Sequence, residues 1–158
     1  MGTEIERKFL LATSDWQKLC TKTIYIRQGY LSTEAERVVR IRIWDTQGKL
    51  TIKGPKTNAV CDEYEYDIPL DDAQKMLDSL CYPLQIEKKR HIIQSGHHIW
   101  EIDEFLGDNY PLVLAEVELE DRSETVILPD WIGQEVTDDH RYTNSELCLS
   151  PYNSWTKT

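Results

Sequence analysis

Charged residues recur at every second position in one segment after another of this sequence, and that alternation constrains the fold more than any other feature. The first such segment, EIERKFL, places Glu4, Glu6 and Lys8 two residues apart. Successive side chains of a β-strand point to opposite faces, so these three would share one face. The segment therefore predicts a strand with one charged face and a second face that carries Ile5 and Phe9.

Seven further segments have the composition of β-strands, and turn-forming residues separate several of them. They read TIYIRQGYL, RVVRIRIW, LTIKG, DEYEYDI, QIEKKRHII, HIWEIDEFL and LVLAEVELE. The sequences TQGK and SGHH, each between two strand segments, predict antiparallel hairpins. Eight short strands joined in this way predict a mainly β fold of the α+β class, built as a barrel or a sandwich.

Four segments predict short helices outside the strands. SDWQKLC has the spacing of a capping box between Ser14 and Gln17. LDDAQKMLDSL repeats apolar residues at a helical period after a cap at Asp71 or Asp72. DWIGQEV and NSELCL are shorter, and Asn144 is the predicted cap of the second.

Length and composition exclude several classes of protein. A chain of 158 residues predicts one domain, over residues 1–158, with a core that needs no disulfide. The net charge of −10 argues against nucleic acid as a partner, because phosphate backbones require a basic surface. No apolar run approaches the ~20 residues of a membrane helix. The N-terminus is charged at once and the four cysteines are scattered, so we expect a cytoplasmic protein with no membrane partner.

The charged rows are nearly single-signed, strand by strand. For any one strand, a solvated face is the simpler interpretation. Ordinary solvated faces mix signs, however, and like charges two residues apart repel one another. Repetition of single-signed rows instead predicts that the faces meet around a common space. We therefore expect a closed eight-stranded antiparallel barrel, a tunnel with an acidic wall and a basic wall, whose outward apolar faces are covered by a few peripheral helices.

The rows hold more acid than base, and this excess predicts a ligand. Nine carboxylates face six cations, an imbalance that is costly in a closed space unless the carboxylates protonate or bind metal ions. Clustered carboxylate oxygens suit Mg²⁺ or Mn²⁺, and Arg and Lys suit phosphate. A triphosphate bound with one or two divalent metals would satisfy both walls. The carboxylates are Glu4, Glu6, Glu63, Glu65, Glu101, Asp103, Glu116, Glu118 and Glu120, and the cations are Lys8, Arg40, Arg42, Lys53, Lys88 and Arg90.

In this order, the motifs resemble the CYTH superfamily, the triphosphate tunnel metalloenzymes. EIERKF carries the E-x-E-x-K motif, and RQGYL, R-x-R, T-x-K, E-Y-E, EKKR, E-x-D, E-V-E and EVTDDHRYTN follow along nearly the whole chain. The length and the RQGYL and EVTDDHRYTN segments look most like the small bacterial members that hydrolyse inorganic triphosphate. The resemblance implies an eight-stranded barrel tunnel, a triphosphate substrate and a requirement for a divalent metal.

The resemblance also implies roles for individual residues. Lys8 and Tyr30 would form a catalytic pair, in which Lys8 lowers the pKa of Tyr30 or orients a water. His140 is not expected to be catalytic. The metal ligands would be Glu4, Glu6, Glu116 and Glu118; the phosphate ligands would be Arg40, Arg42, Lys53, Lys88 and Arg90; and Glu63, Glu65 and Asp103 would shape the acidic wall or position the attacking water.

Three other functions stay open at this point. An organic triphosphate hydrolase, acting on thiamine triphosphate or a nucleotide, would use the same phosphate ligands. A class IV-type adenylate cyclase would use the same barrel, and a non-catalytic polyphosphate-binding module would keep the basic wall. A homodimer is expected as one way to cover outward apolar faces, and Arg7, on the outer face of the first strand, is a predicted surface or dimer contact.

Overall fold

A closed antiparallel β-barrel dominates the structure, a computed structural model that describes residues 2–155. Around the barrel the first eight strands follow the order β1-β5-β4-β3-β2-β6-β7-β8, and β8 pairs again with β1. This confirms the predicted mainly β fold and the number of barrel strands. The elements are β1 (Gly2–Leu11), β2 (Lys22–Glu34), β3 (Arg37–Trp44), β4 (Gln47–Lys53), β5 (Val60–Ile68), α1 (Leu70–Ser79), β6 (Ile86–Ser95), β7 (His98–Phe105), β8 (Val113–Glu118), β9 (Ile132–Glu135) and α2 (Asn144–Leu149).

Strand β1 closes the barrel and is shared by three other strands. Residues 2–5 pair with β5, and residues 6–10 pair with β8. The remaining edge of the second half carries β9, which pairs within residues 9–11. Strand β1 therefore joins β5, β8 and β9, which come from the middle and the later part of the chain.

The segment DWIGQEV forms β9, so the prediction of a helix there is wrong. Gly133 lets this strand approach β1 closely, because an added Cβ atom would lie 3.1 Å from the backbone of Leu10 and Ala12. The contact with β1, and not the composition of these four residues, therefore makes β9 a strand. The glycine inside the expected helix was the sequence signal against it.

The other predicted helices are present, with different ends. Helix α1 follows Pro69 without a side-chain cap, and the hydroxyl of Thr143 caps α2 by accepting from the backbone N–H of Glu146. Each cap thus lies at least one residue earlier than predicted. SDWQKLC forms a 3₁₀ helix over residues 15–19, and Gln17 donates its N–H to the carbonyl of Ser14 in place of a capping box. Between residues 2 and 155, no helix is long and apolar enough to cross a membrane.

The apolar faces of the strands point outward, as predicted, and are covered in two places. Leu77 of α1 packs on Ile41 of β3. A larger cluster surrounds Trp100 of β7, whose ring meets those of Phe9 and Trp131 edge to face at 5.6 and 5.7 Å. These two clusters form the core outside the barrel, and the middle of the lumen is left to polar groups.

One end of the lumen has an apolar floor. The luminal rows of β6, β7 and β8 end in Ile86, Phe105 and Leu114. These three pack with Leu147 and Cys148 of α2, and all five side chains are buried. The C-terminal helix therefore closes this end and lies directly against the charged interior.

Candidate functional site: a lumen with two charged arcs

The strand order separates the luminal charges into two arcs. Strands β7, β8, β1 and β5 are consecutive around the barrel, and their luminal carboxylates form the acidic arc. Strands β4, β3, β2 and β6 complete the circle, and their luminal cations form the basic arc. The acidic arc comprises Glu101, Asp103, Glu116, Glu118, Glu4, Glu6, Glu63 and Glu65, and the basic arc comprises Lys53, Arg40, Arg42, Lys88 and Arg90.

A cavity of about 160 Å³ lies between the arcs. Lys88 and Asp103 lie behind its surface, and Lys8 and Tyr30 line a neighbouring chamber. Glu120, counted in the acidic row, lies beyond the end of β8 and is exposed. The cavity is lined by Glu4, Glu6, Glu63, Glu65, Glu101, Glu116, Glu118, Arg40, Arg42, Lys53, Arg90 and Asn144.

The junction of the arcs between β6 and β7 is a closed network of ion pairs. Arg90 donates to Asp103 at 2.8 and 2.9 Å, and Lys88 donates to the same carboxylate at 2.7 Å. Burial opposes the charge on Asp103, but Arg90 and Lys88 together hold its pKa well below the usual range. Burial, joined by the charges of Arg90 and Arg42, lowers the pKa of Lys88 to about 7. Asp103 is thus engaged within the protein and does not face a ligand.

The junction between β4 and β5 is more open. Lys53 lies 2.7 Å from Glu4 and 3.6 Å from Glu63, and Arg40 lies 3.7 Å from Glu65. The side chains of Lys53 and Glu63 keep 22% and 26% of their exposure. Burial disfavours the ammonium of Lys53, but the nearby charge of Glu4 raises its pKa, so it remains a cation. A bound ligand could therefore replace the carboxylate partners of Lys53 and Arg40.

Three arginines crowd the middle of the basic arc. Burial, followed by the charges of Arg40 and Arg90, lowers the pKa of Arg42 to about 9. Arg42 Nε donates to Gln28 Oε1 at 2.8 Å, and Arg40 Nη2 donates to Thr51 Oγ1 at 3.1 Å. The Nε of Arg40 is buried with no hydrogen-bond partner among the described residues. Buried guanidinium groups with neutral acceptors and a donor left over are the surroundings that phosphate requires.

Carboxylates crowd the acidic arc in the same way. Glu6 and Glu118 are register partners on β1 and β8. Burial, followed by the charges of Glu4 and Glu63, raises the pKa of Glu118 to about 6. Over residues 2–155, no three His, Cys, Asp or Glu side chains form a complete metal site. Mg²⁺ binds through one or two carboxylates together with waters and substrate phosphates. The donor set therefore fits a metal ion that shares its ligands with a bound phosphate.

Lys8 is held by the C-terminal segment. Its Nζ donates to the carbonyl of Tyr142 at 3.1 Å and lies 3.5 Å from Glu116. Its backbone N–H donates to Thr137 Oγ1 at 3.0 Å, and its carbonyl accepts from the N–H of Val136 at 2.8 Å. Burial disfavours the ammonium, but the charge of Glu116 raises the pKa of Lys8. Lys8 is accordingly a fixed cation at neutral pH.

Tyr30 does not act with Lys8 in the way expected. Its hydroxyl accepts from the side-chain amide of Gln28 at 3.1 Å, and no hydrogen bond of the described chain joins it to Lys8. Burial raises the pKa of Tyr30 and outweighs the opposing charge of Arg40. The pKa of Tyr30 is thus raised and not lowered, so the phenol is a neutral hydrogen-bonding group, and the alternative role of Lys8 in orienting a water stays a prediction.

A second chamber, of about 250 Å³, adjoins the charged cavity. Its walls come from the β2–β3 hairpin, the β4–β5 loop and the C-terminal segment, and they include Lys8, Tyr30, Val38, Cys61 and His140. The two spaces share Glu4, Glu6, Arg40, Lys53 and Asn144. The second chamber mixes apolar groups with charges, whereas the cavity between the arcs is almost wholly charged.

Sequence reasoning missed three polar residues of the lumen. Gln28 and Thr51 are buried and accept from the arginines of the basic arc. Strand alternation places both on luminal faces, since Gln28 shares a face with Tyr30 and Thr51 shares one with Lys53, but it gave neither residue a role. Alternation cannot place Asn144, because α2 reaches the lumen only through the tertiary fold.

Comparisons with known proteins find relatives that match nearly the full length of the chain. The family model of the CYTH domain matches residues 2–146. An inorganic triphosphatase of Acetivibrio thermocellus is 44% identical over 155 residues, which cover 98% of this chain and 99% of that protein. An inorganic triphosphatase of Nitrosomonas europaea is 38% identical over 154 residues, which cover 94% and 98%. The crystal structure of an inorganic triphosphatase is 34% identical with a TM-score of 0.66, over 93% of this chain and 98% of that one.

Proposed function

This chain belongs to the CYTH family, and on that premise we propose that it is a divalent-metal-dependent inorganic triphosphatase. It hydrolyses tripolyphosphate to pyrophosphate and phosphate inside the lumen, and residues 1–158 act as a single domain. Two relatives that match nearly the full length of the chain are inorganic triphosphatases, which supports the assignment.

The crowded arginines of the basic arc carry the proposal. Arg40, Arg42 and Arg90 line one side of a cavity whose other side is carboxylate. Burial and mutual repulsion lower the pKa of Arg42 to about 9, and the buried Nε of Arg40 lacks an acceptor. A polyphosphate would supply that acceptor and offset the repulsion. Solvated surface charges would show neither property.

The acidic arc would hold the metal ion, Mg²⁺ or Mn²⁺. A bound ion would neutralise the phosphate oxygens and polarise the phosphoryl group. Glu63 and Glu65 would complete the acidic wall and orient the attacking water, and Asp103 would support this wall from behind through Arg90. Of the candidate ligands Glu4, Glu6, Glu116 and Glu118, one or two would bind the ion directly, and the others would hold its waters, together with substrate oxygens.

The basic arc would position the substrate and stabilise the transition state. Phosphoryl transfer depends mainly on positioning and on stabilising charge. Guanidinium and ammonium donors fixed before the reaction stabilise the charge that develops on the phosphoryl and leaving-group oxygens in the transition state. Arg40, Arg42, Lys53 and Arg90 would contact phosphoryl oxygens directly, and Lys88 would act from behind the cavity surface.

Lys8 and Tyr30 would act as hydrogen-bond donors. The raised pKa of each keeps Lys8 charged and Tyr30 neutral at physiological pH. Neither is then a general base, because Lys8 has no free lone pair and Tyr30 keeps its proton. Both can orient water or a phosphoryl oxygen where the second chamber meets the charged cavity.

The test is phosphate release from tripolyphosphate with Mg²⁺ or Mn²⁺, beside ATP, thiamine triphosphate and pyrophosphate. We expect rapid, metal-dependent release from tripolyphosphate that falls by about 100-fold or more in Lys8→Ala and Glu6→Gln. Glu104→Gln is the matched control, since Glu104 pairs with His91 on the outer face. Metal-independent release, or equal loss in the control, would contradict the proposal.

The same assay separates the rival functions. Inert tripolyphosphate with release of pyrophosphate from ATP indicates a cyclase. Binding of tripolyphosphate without hydrolysis of any substrate indicates a polyphosphate-binding module.

An organic triphosphatase is the second candidate, and the second chamber favours it. The chamber adjoins the charged cavity and includes apolar groups such as Val38 and Tyr30. A base or sugar attached to the triphosphate would occupy that space. Faster turnover of ATP or thiamine triphosphate than of tripolyphosphate would favour this candidate.

The cytoplasmic location and the homodimer stay predictions.

A further inference from the structure

Asn144 is the uncharged residue among the described lining of the cavity between the arcs. It also lines the second chamber, so it lies where the two spaces meet. It is the first residue of α2, whose Leu147 and Cys148 are buried in the apolar floor. Core packing of that helix therefore fixes the position of Asn144.

Lys88 determines which way the amide of Asn144 faces. Its Nζ donates to Asn144 Oδ1 at 3.0 Å. Because Nζ is the donor in this contact, the amide oxygen faces Lys88 and the Nδ2 group faces away from it. No hydrogen bond recorded for residues 2–155 has Asn144 Nδ2 as its donor. The amide thus keeps two N–H groups for a ligand.

A neutral donor suits this part of the lumen. Arg40, Arg42 and Arg90 line the same cavity, and the repulsion of Arg42 by the charges of Arg40 and Arg90 helps to lower its pKa. A further cation at the cavity surface would add to that repulsion, whereas an amide adds a donor without charge. Lys88 itself is fully buried and bonded to Asp103 at 2.7 Å. Asn144 therefore presents to the cavity the donor that Lys88 cannot.

We propose that Asn144 is a substrate-binding residue, whose Nδ2 donates to a phosphoryl oxygen of tripolyphosphate. Lys88 is the positioning residue that holds the amide in this orientation. The inference rests on the proposed function for the identity of its ligand. It requires tripolyphosphate to bind, and it does not require hydrolysis.

A direct test follows the side-chain amide of Asn144 by NMR. In ¹⁵N-labelled protein, the N–H₂ pair of Asn144 is identified by its loss in Asn144→Asp, which keeps an oxygen acceptor for Lys88. Tripolyphosphate is then added without metal ions. We expect the pair to shift, and to saturate at the dissociation constant that calorimetry gives for the same sample. A pair that stays in place while tripolyphosphate binds would overturn the inference.

Affinity measurements on variants provide the second test. Asn144→Ala should weaken tripolyphosphate binding by about tenfold or more, as expected for loss of a hydrogen bond to a charged group. Leu149→Ala is the matched control in the same helix, because Leu149 is 52% exposed and does not line either space. Equal affinities of Asn144→Ala and Leu149→Ala would contradict a contact with phosphate.

The positioning role of Lys88 has its own readout. If Lys88 acts through Asn144, Lys88→Met should weaken binding, and the double variant with Asn144→Ala should bind about as weakly as Asn144→Ala alone. Additive losses would show that Lys88 acts independently.

Failure of the inference is distinguishable from failure of the proposed function. Binding with a shifted Asn144 pair but no hydrolysis would overturn the triphosphatase and leave the inference standing. Hydrolysis with an unmoved pair would do the reverse. Absence of tripolyphosphate binding both with and without Mg²⁺ would overturn both.

Discussion

At the β6–β7 junction, Arg90, Lys88 and Asp103 are buried and bonded to one another, whereas at the β4–β5 junction Lys53 and Glu63 remain partly exposed and 3.6 Å apart. Both junctions join the acidic arc to the basic arc with the same residue types. Removal of one partner from a buried ion pair is costly, because the remaining charge is left with neither a partner nor solvent. The first junction thus holds the barrel together, and the second remains free to bind a ligand.

The largest effect on stability is expected at the buried junction. Asp103→Asn removes the charge that Arg90 and Lys88 share, and it should lower the free energy of unfolding by about 3–5 kcal/mol. Urea denaturation measures the change. Asp67→Asn is the control, since Asp67 is exposed and its loss should cost little. A small loss in Asp103→Asn would mean that the buried junction does not stabilise the barrel.

The arginines between the two junctions should show their effect in catalysis. Arg42→Met removes a donor fixed inside the basic arc, so kcat/KM for tripolyphosphate should fall by about 100- to 1,000-fold, or about 2.7–4 kcal/mol. Steady-state kinetics with Mg²⁺ provide the measurement. Arg27→Met is the matched control, because Arg27 lies on the outer face of the neighbouring strand β2 and pairs with Asp78. Similar losses in both variants would contradict a luminal role.

The buried junction also predicts a pH dependence of stability. The pKa of Lys88 is about 7 in the folded protein and near 10.5 in the unfolded chain. Between these values the unfolded chain binds more protons, so the contribution of Lys88 to the free energy of unfolding rises with pH. Relative to Lys88→Met, the wild type should gain up to about 1.4 kcal/mol per pH unit in that window. Denaturation of both proteins at several pH values measures the gain, and parallel curves would contradict the lowered pKa.

The smallest effect is expected at the open junction. Glu63→Gln removes a partly exposed partner of Lys53, and solvent can replace it, so the free energy of unfolding should change by less than about 1 kcal/mol. The measurement is urea denaturation under the conditions used for Asp103→Asn. A loss as large as that of Asp103→Asn would remove the distinction between the two junctions.

The barrel and its charged lumen could be predicted because both depend on local alternation. The segment RVVRIRIW became β3 with the predicted limits, since its two faces differ along its whole length. The strand β9 could not be predicted in this way, because Gly133 and its approach to β1 decide it. Local alternation predicts a strand whose two faces differ along its own sequence. It fails where contact with a distant strand decides the structure.

The candidate site was likewise predictable only in part, where it depends on the alternation within single strands. The carboxylates and cations of the two arcs follow from their strand faces. Which of them face the cavity does not follow, because the placement of Lys88 and Asp103 behind its surface depends on packing across two strands. The contacts of Lys8 with Thr137 and Tyr142 also join residues far apart in the chain.

The shared use of β1 has a consequence for the order in which the protein is made. β1 is synthesised first among the strands, but its partners β8 and β9 emerge only after most of the chain. β5 can pair with residues 2–5 earlier, but residues 6–10 have no strand partner until β8 is made, and such edges associate with other chains unless charges prevent it. Glu4, Glu6 and Lys8 supply those charges. The residues proposed for chemistry in the finished barrel would thus also protect the nascent chain, and the site forms only after β8 has paired with β1.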